Sequence, residues 1–517
     1  MSHDFTQPSV HPAGEQPPIE HDATAVVATL DTWAGPVRVE WDSSAPMTPY
    51  GQLPFFIEYL KVAGLFDALV ADCPLAYTSP NAAKKRDVLG TTMLSVLAGH
   101  KRYAHITALR NDAVLPDLLG MEKIVSEDAV RRAFKTIGKD EGRRWLQRQL
   151  DYCTAPLLSE PWVFDADSTV KPLYGHQEGA VLRYNPKKPG RPSHVYHTYT
   201  MAGLRLVLDV EATAGNQHAS SHAAPGLWAL LDRIPRDCWP ALLRGDSGFG
   251  AEGVMREAEQ RGLPYLFKLR LTPNVKKLIK KTFSKDDWTD AGQGWQGRHE
   301  TLRLEGWSRQ RQVVVLRRRL KEGLAVCGRD DAGQLALGFV EIGAQSEVYE
   351  YGVLVTSIEE EVLTLAQLYR DRADSENPFD ELKNQWGWAG FATRDLARCQ
   401  LMARFIALIY NWWSLFVRLA EPGKHLEAIT SRPLLLNAIA GRTRHARQTT
   451  LKVACSHAKA GWVANVLGGI TSFLNGLIQS AEQLTPEQRW RRILDHAVRS
   501  WLGGRPLRPP PRLMVPA

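Results

Sequence analysis

Apolar and polar residues follow three different patterns along the chain, and each pattern predicts a different kind of element. Apolar residues recur at helical spacing over residues 55–152. Over residues 161–270, three strand-like runs are followed by helix, strand, helix and strand. Short strand-like runs dominate residues 271–359, and helical spacing returns beyond residue 393. The pattern predicts an α/β fold: a mixed five-stranded sheet with flanking helices, interrupted by a β-rich insertion, with helical regions at both ends.

Residues 369–383 carry the most specific pattern of polar side chains. On a helix that turns about 100° per residue, Tyr369, Arg372, Glu376 and Lys383 fall within an arc of about 60°. An apolar stripe lies beside this arc, so the helix is predicted to be docked with its polar edge facing a cleft. Pro378 is predicted to kink or restart the helix. A carboxylate between cations on a docked helix suits a metal ligand beside a bound polyanion.

Two further carboxylates end predicted strands, Asp167 the strand of residues 162–167 and Asp246 the strand of residues 241–246. Ligands of open α/β sheets collect at such strand ends. Oxygen ligands without His or Cys neighbours favour Mg²⁺ or Mn²⁺, and a pair of such ions supports phosphodiester chemistry. Asp165 lies on the same side of its strand and stays an alternative first ligand. We prefer Asp167 because it lies at the strand end.

Charge and cysteine content narrow the class of protein. The 517 residues include 64 Lys and Arg against 56 Asp and Glu, a net charge of +8, and the cations are clustered, as in proteins that bind nucleic acid. The six cysteines form no Cys-x-x-Cys pair, which argues against a zinc site or a disulfide framework and fits a reducing cytoplasm. No signal peptide is expected, and the apolar residues 401–420, with two arginines among them, predict a buried helix and no membrane partner.

Basic residues outside the signature helix are further candidates for contact with DNA. Ser126 is a plausible N-cap of a helix that carries Arg131 and Arg132, and this helical region resembles a helix-turn-helix reader of duplex DNA. An ordinary helical bundle with solvated cations fits the same pattern equally well.

A second set of candidates lies near the acids. Lys187, Lys188 and Arg191 lie in a loop stiffened by Pro and Gly next to the first acid, which favours tracking along DNA. His218 and His222 could approach a metal or DNA, but a capping or solvated role is favoured for both.

The spacing Tyr-x2-Arg-x3-Glu-x6-Lys, met by Tyr369, Arg372, Glu376 and Lys383, resembles the YREK signature of bacterial insertion-sequence DDE transposases. Four blocks resemble, more narrowly, the insertion-sequence family thirteen-eighty branch: residues 165–169, 175–179, 184–193 and 244–249. The resemblance implies an RNase H-like catalytic core interrupted by the β-rich insertion. It also implies homodimeric synaptic complexes that bind double-stranded DNA, both the terminal inverted repeats and the target.

The resemblance also implies roles for individual residues. The catalytic residues, and ligands of two Mg²⁺ or Mn²⁺ ions, would be Asp167, Asp246 and Glu376. The signature residues in contact with DNA near the cut would be Tyr369, Arg372 and Lys383. Related enzymes often form hairpinned DNA ends, with an insertion-domain Trp stacked on a flipped base. Trp295 is the candidate here, followed by Trp288 and Trp307, although a core role is more common for such residues.

The resemblance implies a DNA transposase that cleaves the ends of an insertion sequence and transfers the 3′-OH ends to target DNA, in the bacterial cytoplasm at the nucleoid. A structure-selective nuclease and a non-catalytic DNA-binding derivative are the alternatives.

The predicted segments are a mobile tail (1–49), a helical DNA-binding domain (50–155), the first part of the core (156–270), the β-rich insertion (271–359), the signature helix of the core (360–392), a C-terminal helical domain (393–502) and a Pro- and Arg-rich tail (503–517).

Overall fold

A computed structural model describes residues 27–42, 45–77, 79, 81–182, 188–216, 222–319 and 349–508, with the backbone alone at Val27 and at residues 373–377. Contacts between residues divide the chain into two compact units, Met1–Ala45 and Pro46–Ala517. In the first unit, β1 (Val27–Thr32) and β2 (Gly35–Glu40) form an antiparallel hairpin. This hairpin lies within residues 1–49, the segment that the sequence predicted to be a mobile tail.

The second unit contains the other helices and strands. The helices before the large sheet and within it are α1 (Leu53–Val62), α2 (Leu65–Ala71), α3 (Lys85–Leu97), α4 (Ile106–Leu109), α5 (Leu115–Leu119), α6 (Glu127–Thr136), α7 (Lys139–Thr154), α8 (Ala224–Arg233), α9 (Glu252–Gln260) and α10 (Pro273–Lys281). The helices that follow are α11 (Val362–Arg370), α12 (Ala373–Asn384), α13 (Leu396–Ala420), α14 (Ala428–Leu435), α15 (Ala460–Ile478) and α16 (Pro486–Ala497).

The strands of the second unit are β3 (Met47–Thr48), β4 (Val163–Pro172), β5 (Val181–Leu182), β6 (Pro192–Met201), β7 (Leu206–Ala214), β8 (Leu242–Gly245), β9 (Tyr265–Lys268), β10 (Thr289–Gly292), β11 (Trp295–Leu302), β12 (Arg311–Arg319), β13 (Tyr349–Thr356), β14 (Ala440–His445) and β15 (Gln448–Val453). The five strands and two helices predicted over residues 161–270 are all present, as β4, β6, β7, β8 and β9 with α8 and α9.

The central sheet is larger than the sequence predicted. Its ten described strands run in the order β10-β11-β12-β13-β9-β8-β4-β6, and both β5 and β7 pair with β6. Strand β4 is parallel to β8 and β8 to β9, while the remaining pairs are antiparallel, so the sheet is mixed. The prediction of five strands was wrong because β13 pairs with β9 and joins the insertion to the same sheet. This pairing satisfies backbone groups that β9 would otherwise leave open at an edge.

The insertion also contains a helix that its strand-like pattern did not reveal. Helix α10 begins with Pro273 after the N-cap Thr272, whose hydroxyl accepts a hydrogen bond from the Val275 N–H. The strand predicted over residues 335–342 lies outside the described residues.

Helix α13 lies at the centre of the core and packs against β7 and α7. Its polar residues have partners there, since Asn411 accepts from the Val207 N–H at 2.9 Å and donates to the Val207 carbonyl at 2.7 Å. Arg404 forms an ion pair with Asp209 at 2.7 Å. The prediction that residues 401–420 form a buried helix is confirmed.

The C-terminal region, predicted to be helical, also contains the antiparallel hairpin of β14 and β15. The base of this hairpin pairs with β3, so a three-stranded sheet holds it. Helix α15 is, among the described residues, the one helix long and apolar enough to cross a membrane by length and composition. This is weak evidence, because its inward residues Val463, Leu467 and Ile470 pack in the hydrophobic core.

Candidate active site

The register of two parallel strands brings two of the predicted ligands together. Asp165 of β4 lies opposite Arg244 of β8, and the next pair is Ala166 and Gly245. One further step along the same register places Asp167 opposite Asp246, the residue that follows β8. Neighbouring strands lie about 4.8 Å apart, so the two carboxylates are neighbours at one edge of the parallel part of the sheet.

The structure separates the roles of Asp165 and Asp167. Asp165 is fully buried, and both of its oxygens accept hydrogen bonds from the Arg244 guanidinium at 2.7 Å. Arg244 is itself 3% exposed and also donates to the carbonyl of Leu368. This buried ion pair gives Asp165 a structural role. The prediction that Asp167 lies at a strand end was wrong, because β4 continues to Pro172. Asp167 stays the predicted metal ligand.

Arg372 links the signature segment to the acid pair. One of its terminal nitrogens donates a hydrogen bond to Asp167, whose other oxygen accepts from the Ser168 N–H at 2.7 Å. Burial alone would lower the pKa of the Arg372 guanidinium, but the charges of Asp167, Tyr369, Asp246 and Asp165 raise this pKa above its usual value. Arg372 is therefore a fully charged cation that balances the neighbouring carboxylates.

The signature segment is two helices rather than one. Helix α11 ends at Arg370, Asp371 follows, and Arg372 is the N-cap of α12. The predicted restart of the helix at Pro378 was wrong, because α12 continues through this residue. Tyr369 lies near the end of α11, so it does not share one helical arc with Arg372, Glu376 and Lys383 as predicted.

Glu376 lies on α12, and the structure describes only its backbone. It follows Arg372 by one helical turn and so shares a helix face with it. Because Arg372, the N-cap of α12, contacts Asp167, the start of this helix lies beside the acid pair. Lys383, half-buried, lies two turns beyond Glu376 on the same face.

The donor set fits a hard divalent cation. Among the side chains that the structure describes, no group of three or more His, Cys, Asp or Glu residues could hold a metal ion. The third predicted ligand, Glu376, is not one of those side chains. Asp167 and Asp246 supply oxygen atoms, the donors that Mg²⁺ and Mn²⁺ prefer, and the helix that carries Glu376 lies next to them.

A cavity of about 490 Å³ connects the insertion to the signature residues, and Trp295, Tyr369 and Arg372 all line it. Trp295 is half-buried, and the Arg318 guanidinium lies 4.9 Å from the centre of its ring. Trp307, by contrast, is 7% exposed and packs in the core. Of these two, Trp295 is the one that reaches the candidate site.

An exposed aromatic residue near the first acid escaped the sequence analysis. Tyr174 follows β4 by two residues and is 65% exposed. Lys188 and Arg191 lie 5.0 and 5.2 Å from the centre of its ring, and Lys188 also donates to its hydroxyl. Lys187 lies outside the described residues. A cation-flanked ring can stack on a nucleic acid base, but a lone Tyr after a strand gave no signal by itself.

The basic helix of the N-terminal region is present as α6, with Ser126 as its N-cap. Arg131 pairs with Asp128 at 3.2 Å and lies over the Tyr103 ring, whereas Arg132 is exposed. These residues belong to a different part of the fold from the strands that carry the acids. His222 is exposed, and His218 lies outside the described residues.

A buried carboxylate that the sequence analysis missed anchors α12. Glu381 is 2% exposed and accepts hydrogen bonds from Trp386 Nε1 at 3.0 Å, His425 Nε2 at 2.7 Å and the Ala428 N–H at 3.0 Å. Buried donors of this kind are costly to leave unpaired. Glu381 therefore fixes the C-terminal half of the helix that carries Glu376.

Fold and site together define the class: an α/β protein in which a carboxylate within β4 and one directly after β8 lie where the parallel pairing of these strands ends, beside the start of α12. The family model for transposase DDE domain group 1 matches residues 63–473, so the chain belongs to this family. The resemblance to DDE transposases is thereby confirmed at the level of the family.

Comparison with other proteins adds little to the family match. No curated protein is similar enough to this chain to count as a relative. One solved structure, a piggyBac transposase synaptic complex with hairpin DNA, is similar over 87% of this chain and 86% of its own, with 9% sequence identity and a TM-score of 0.37. A similarity this low supports no argument about fold or activity.

Proposed function

We propose that this protein is a Mg²⁺- or Mn²⁺-dependent DNA transposase of the YREK group, in the insertion-sequence family thirteen-eighty branch. It binds the terminal inverted repeats of its element, cleaves the ends and transfers the 3′-OH ends to target DNA. One observation carries this proposal: the register that sets Asp167 beside Asp246, with the start of α12 beside both. The strand order β7-β6-β4-β8-β9, antiparallel and then parallel, supports an RNase H-like core.

Asp167, Asp246 and Glu376 would hold two divalent ions. When bound, such ions activate a water molecule and stabilise the leaving oxygen of a phosphodiester. The chain's own residues position the reaction. Arg372 orients Asp167 and places a positive charge where a phosphate would bind. Arg244 fixes Asp165 and, through the Leu368 carbonyl, the end of α11.

The DNA end would lie along the cavity between the insertion and the signature residues. Tyr369 and Lys383 would join Arg372 at the terminal nucleotide and its phosphates. Trp295 would stack on a flipped base, since it lines the same cavity as Tyr369 and Arg372. The remaining proposed contacts with DNA are Lys187, Lys188, Arg191, Arg131 and Arg132.

The active assembly would be a homodimer that joins two transposon ends, in the bacterial cytoplasm at the nucleoid. The test is to incubate the protein with Mg²⁺, a labelled terminal repeat and a plasmid. Joined product supports transposition, whereas cleaved ends without joining would support a structure-selective nuclease. A shifted but uncut band would support a non-catalytic DNA-binding protein and would refute the enzymatic proposal.

A further inference from the structure

The hairpin of β14 and β15 lies in a part of the C-terminal region that contains cations but no carboxylates. Between Glu427 and Glu482 the sequence contains no Asp or Glu. The same stretch holds six cations: Arg432, Arg442, Arg444, Arg447, Lys452 and Lys459. Four of these six lie on the hairpin. A surface with cations and no acids attracts a polyanion.

The base of the hairpin is firmly held. Ala440 and Gly441 pair with β3, and the Ala454 N–H donates to the Ile439 carbonyl at 2.8 Å. From Thr443 to Thr450 every residue is exposed. The outer part therefore projects from a fixed base, and six-residue strands give the ribbon a length of about 20 Å.

The two faces of the ribbon differ. Arg442 and Arg444 share one face, and both bind the carboxylate of Asp117 in α5, Arg444 at 2.8 Å. Arg442 also donates to the Ala113 carbonyl at 3.2 Å. These contacts tie this face to the body of the protein at Asp117 and so set the orientation of the ribbon, although the Arg444 side chain is 60% exposed.

The opposite face consists of exposed hydrogen-bonding side chains. Thr443 lies opposite Thr450, His445 opposite Gln448, and Lys452 opposite Gly441. We call these five side chains and the tip residue Arg447 the ribbon face. Its side chains donate or accept hydrogen bonds, and none of them is a carboxylate. Such side chains can contact base edges and phosphates.

The tip of the hairpin has an unusual sequence for its shape. Ala446 and Arg447 have φ angles of +46° and +66°, a left-handed backbone that is unfavourable for residues with a Cβ. Tight hairpins usually place Asn-Gly at these positions. The chain instead keeps a cation at the tip, and strain of this kind is typical of functional positions.

We infer that the ribbon face is a second DNA-binding element, which enters the major groove of duplex DNA. A two-stranded ribbon fits this groove, which is about 12 Å wide in B-form DNA, whereas the major groove of duplex RNA is too narrow. The choice of DNA rests on the proposed function. The inference adds a contact surface on elements that carry none of the signature residues.

The test measures binding of the full chain to a fluorescein-labelled DNA duplex by anisotropy, without divalent metal, between about 50 and 200 mM salt. The double variant Arg447→Gln/Lys452→Gln should lower the slope of log K against log salt by about 2, since each lost phosphate contact removes about 0.9. Arg447→Lys/Lys452→Arg, which keeps both charges, should retain the wild-type slope. Lys61→Gln/Lys424→Gln, with the same loss of charge at other exposed sites, should also retain it.

An unchanged slope in the Gln variant, or an equal decrease in the Lys61/Lys424 control, overturns the inference. Equally tight binding of duplex RNA overturns the major-groove assignment. The assignment is also overturned if the minor-groove ligand netropsin displaces the protein from the DNA and the major-groove ligand methyl green does not. Thermal melting of each variant checks that it is folded. The assay is independent of cleavage, so a protein that cuts no DNA yet shows the predicted slopes would refute the proposed function and leave this inference standing.

Discussion

Replacing Asp165 by Asn should destabilise the protein without removing a metal ligand. Asp165 is fully buried and Arg244 is 3% exposed, and two hydrogen bonds of 2.7 Å join them. Asn leaves the Arg244 charge buried without its counter-charge. Breaking one side of a buried ion pair costs about 3–5 kcal/mol. At about 2.1 cal/mol/K of unfolding entropy per residue, each kcal/mol shifts the melting temperature of a chain this long by about 1 °C, so it should fall by about 3–5 °C.

The assay compares melting temperatures with and without Mg²⁺ or Mn²⁺. A ligand that binds only the folded state raises the melting temperature, so an intact metal site shows a metal-dependent increase. Asp165→Asn should keep this increase despite its lower stability, whereas Asp167→Asn should lose it together with DNA cleavage. The double variant Asp165→Asn/Arg244→Met removes both buried charges and should recover part of the stability.

The reverse result would refute the reasoning. If Asp165→Asn melts like the wild type but no longer responds to metal, then Asp165 is the ligand and its pair with Arg244 is not a structural requirement. If the double variant is destabilised by the full sum of the two single changes, the two residues are not energetically coupled.

Three further changes test other parts of the site. Glu376→Gln should abolish DNA cleavage while the affinity for DNA stays equal or rises, because a neutral side chain no longer binds metal or repels phosphate. Cleavage assays measure the first effect and gel shifts the second. Trp295→Ala should weaken binding of a transposon end by about 10- to 100-fold, because the loss of one stacked base costs about 1–3 kcal/mol. Trp307 packs in the core, so Trp307→Ala should mainly lower the melting temperature. Burial lowers the pKa of Lys171 from 10.5 to about 8, so the wild type should lose about 3 kcal/mol of stability as the pH falls from about 10.5 to about 8, and Lys171→Met should not.

Each of these changes has an outcome that contradicts it. Persistent cleavage by Glu376→Gln would show that the ligand set is wrong. Equal losses of DNA affinity in Trp295→Ala and Trp307→Ala would mean that Trp295 acts through folding alone. For Lys171, the sign follows because the unfolded chain binds the proton more tightly than the folded chain, so acidification favours unfolding. Equal pH dependence in denaturant titrations of the wild type and Lys171→Met would contradict the burial argument.

Part of this protein follows from the sequence alone, because it depends on local spacing. The alternation of residues 161–270 was sufficient to predict five strands and two helices in the observed order. The signature spacing was sufficient to predict the DDE transposase family. The N-cap at Ser126 and the capping box at Thr485 and Gln488 are equally local, since each is a contact within one helical turn.

Only the tertiary structure decided the remaining features, because each depends on residues that are distant in sequence. Arg244, 79 residues after Asp165 along the chain, forms a buried ion pair with that carboxylate. The pairing of β13 with β9 joins the insertion to the central sheet, and contacts with β3 and Asp117 hold the basic hairpin in place. Local periodicity cannot reveal these pairings, since strand partners and buried ion pairs are selected when the whole chain packs.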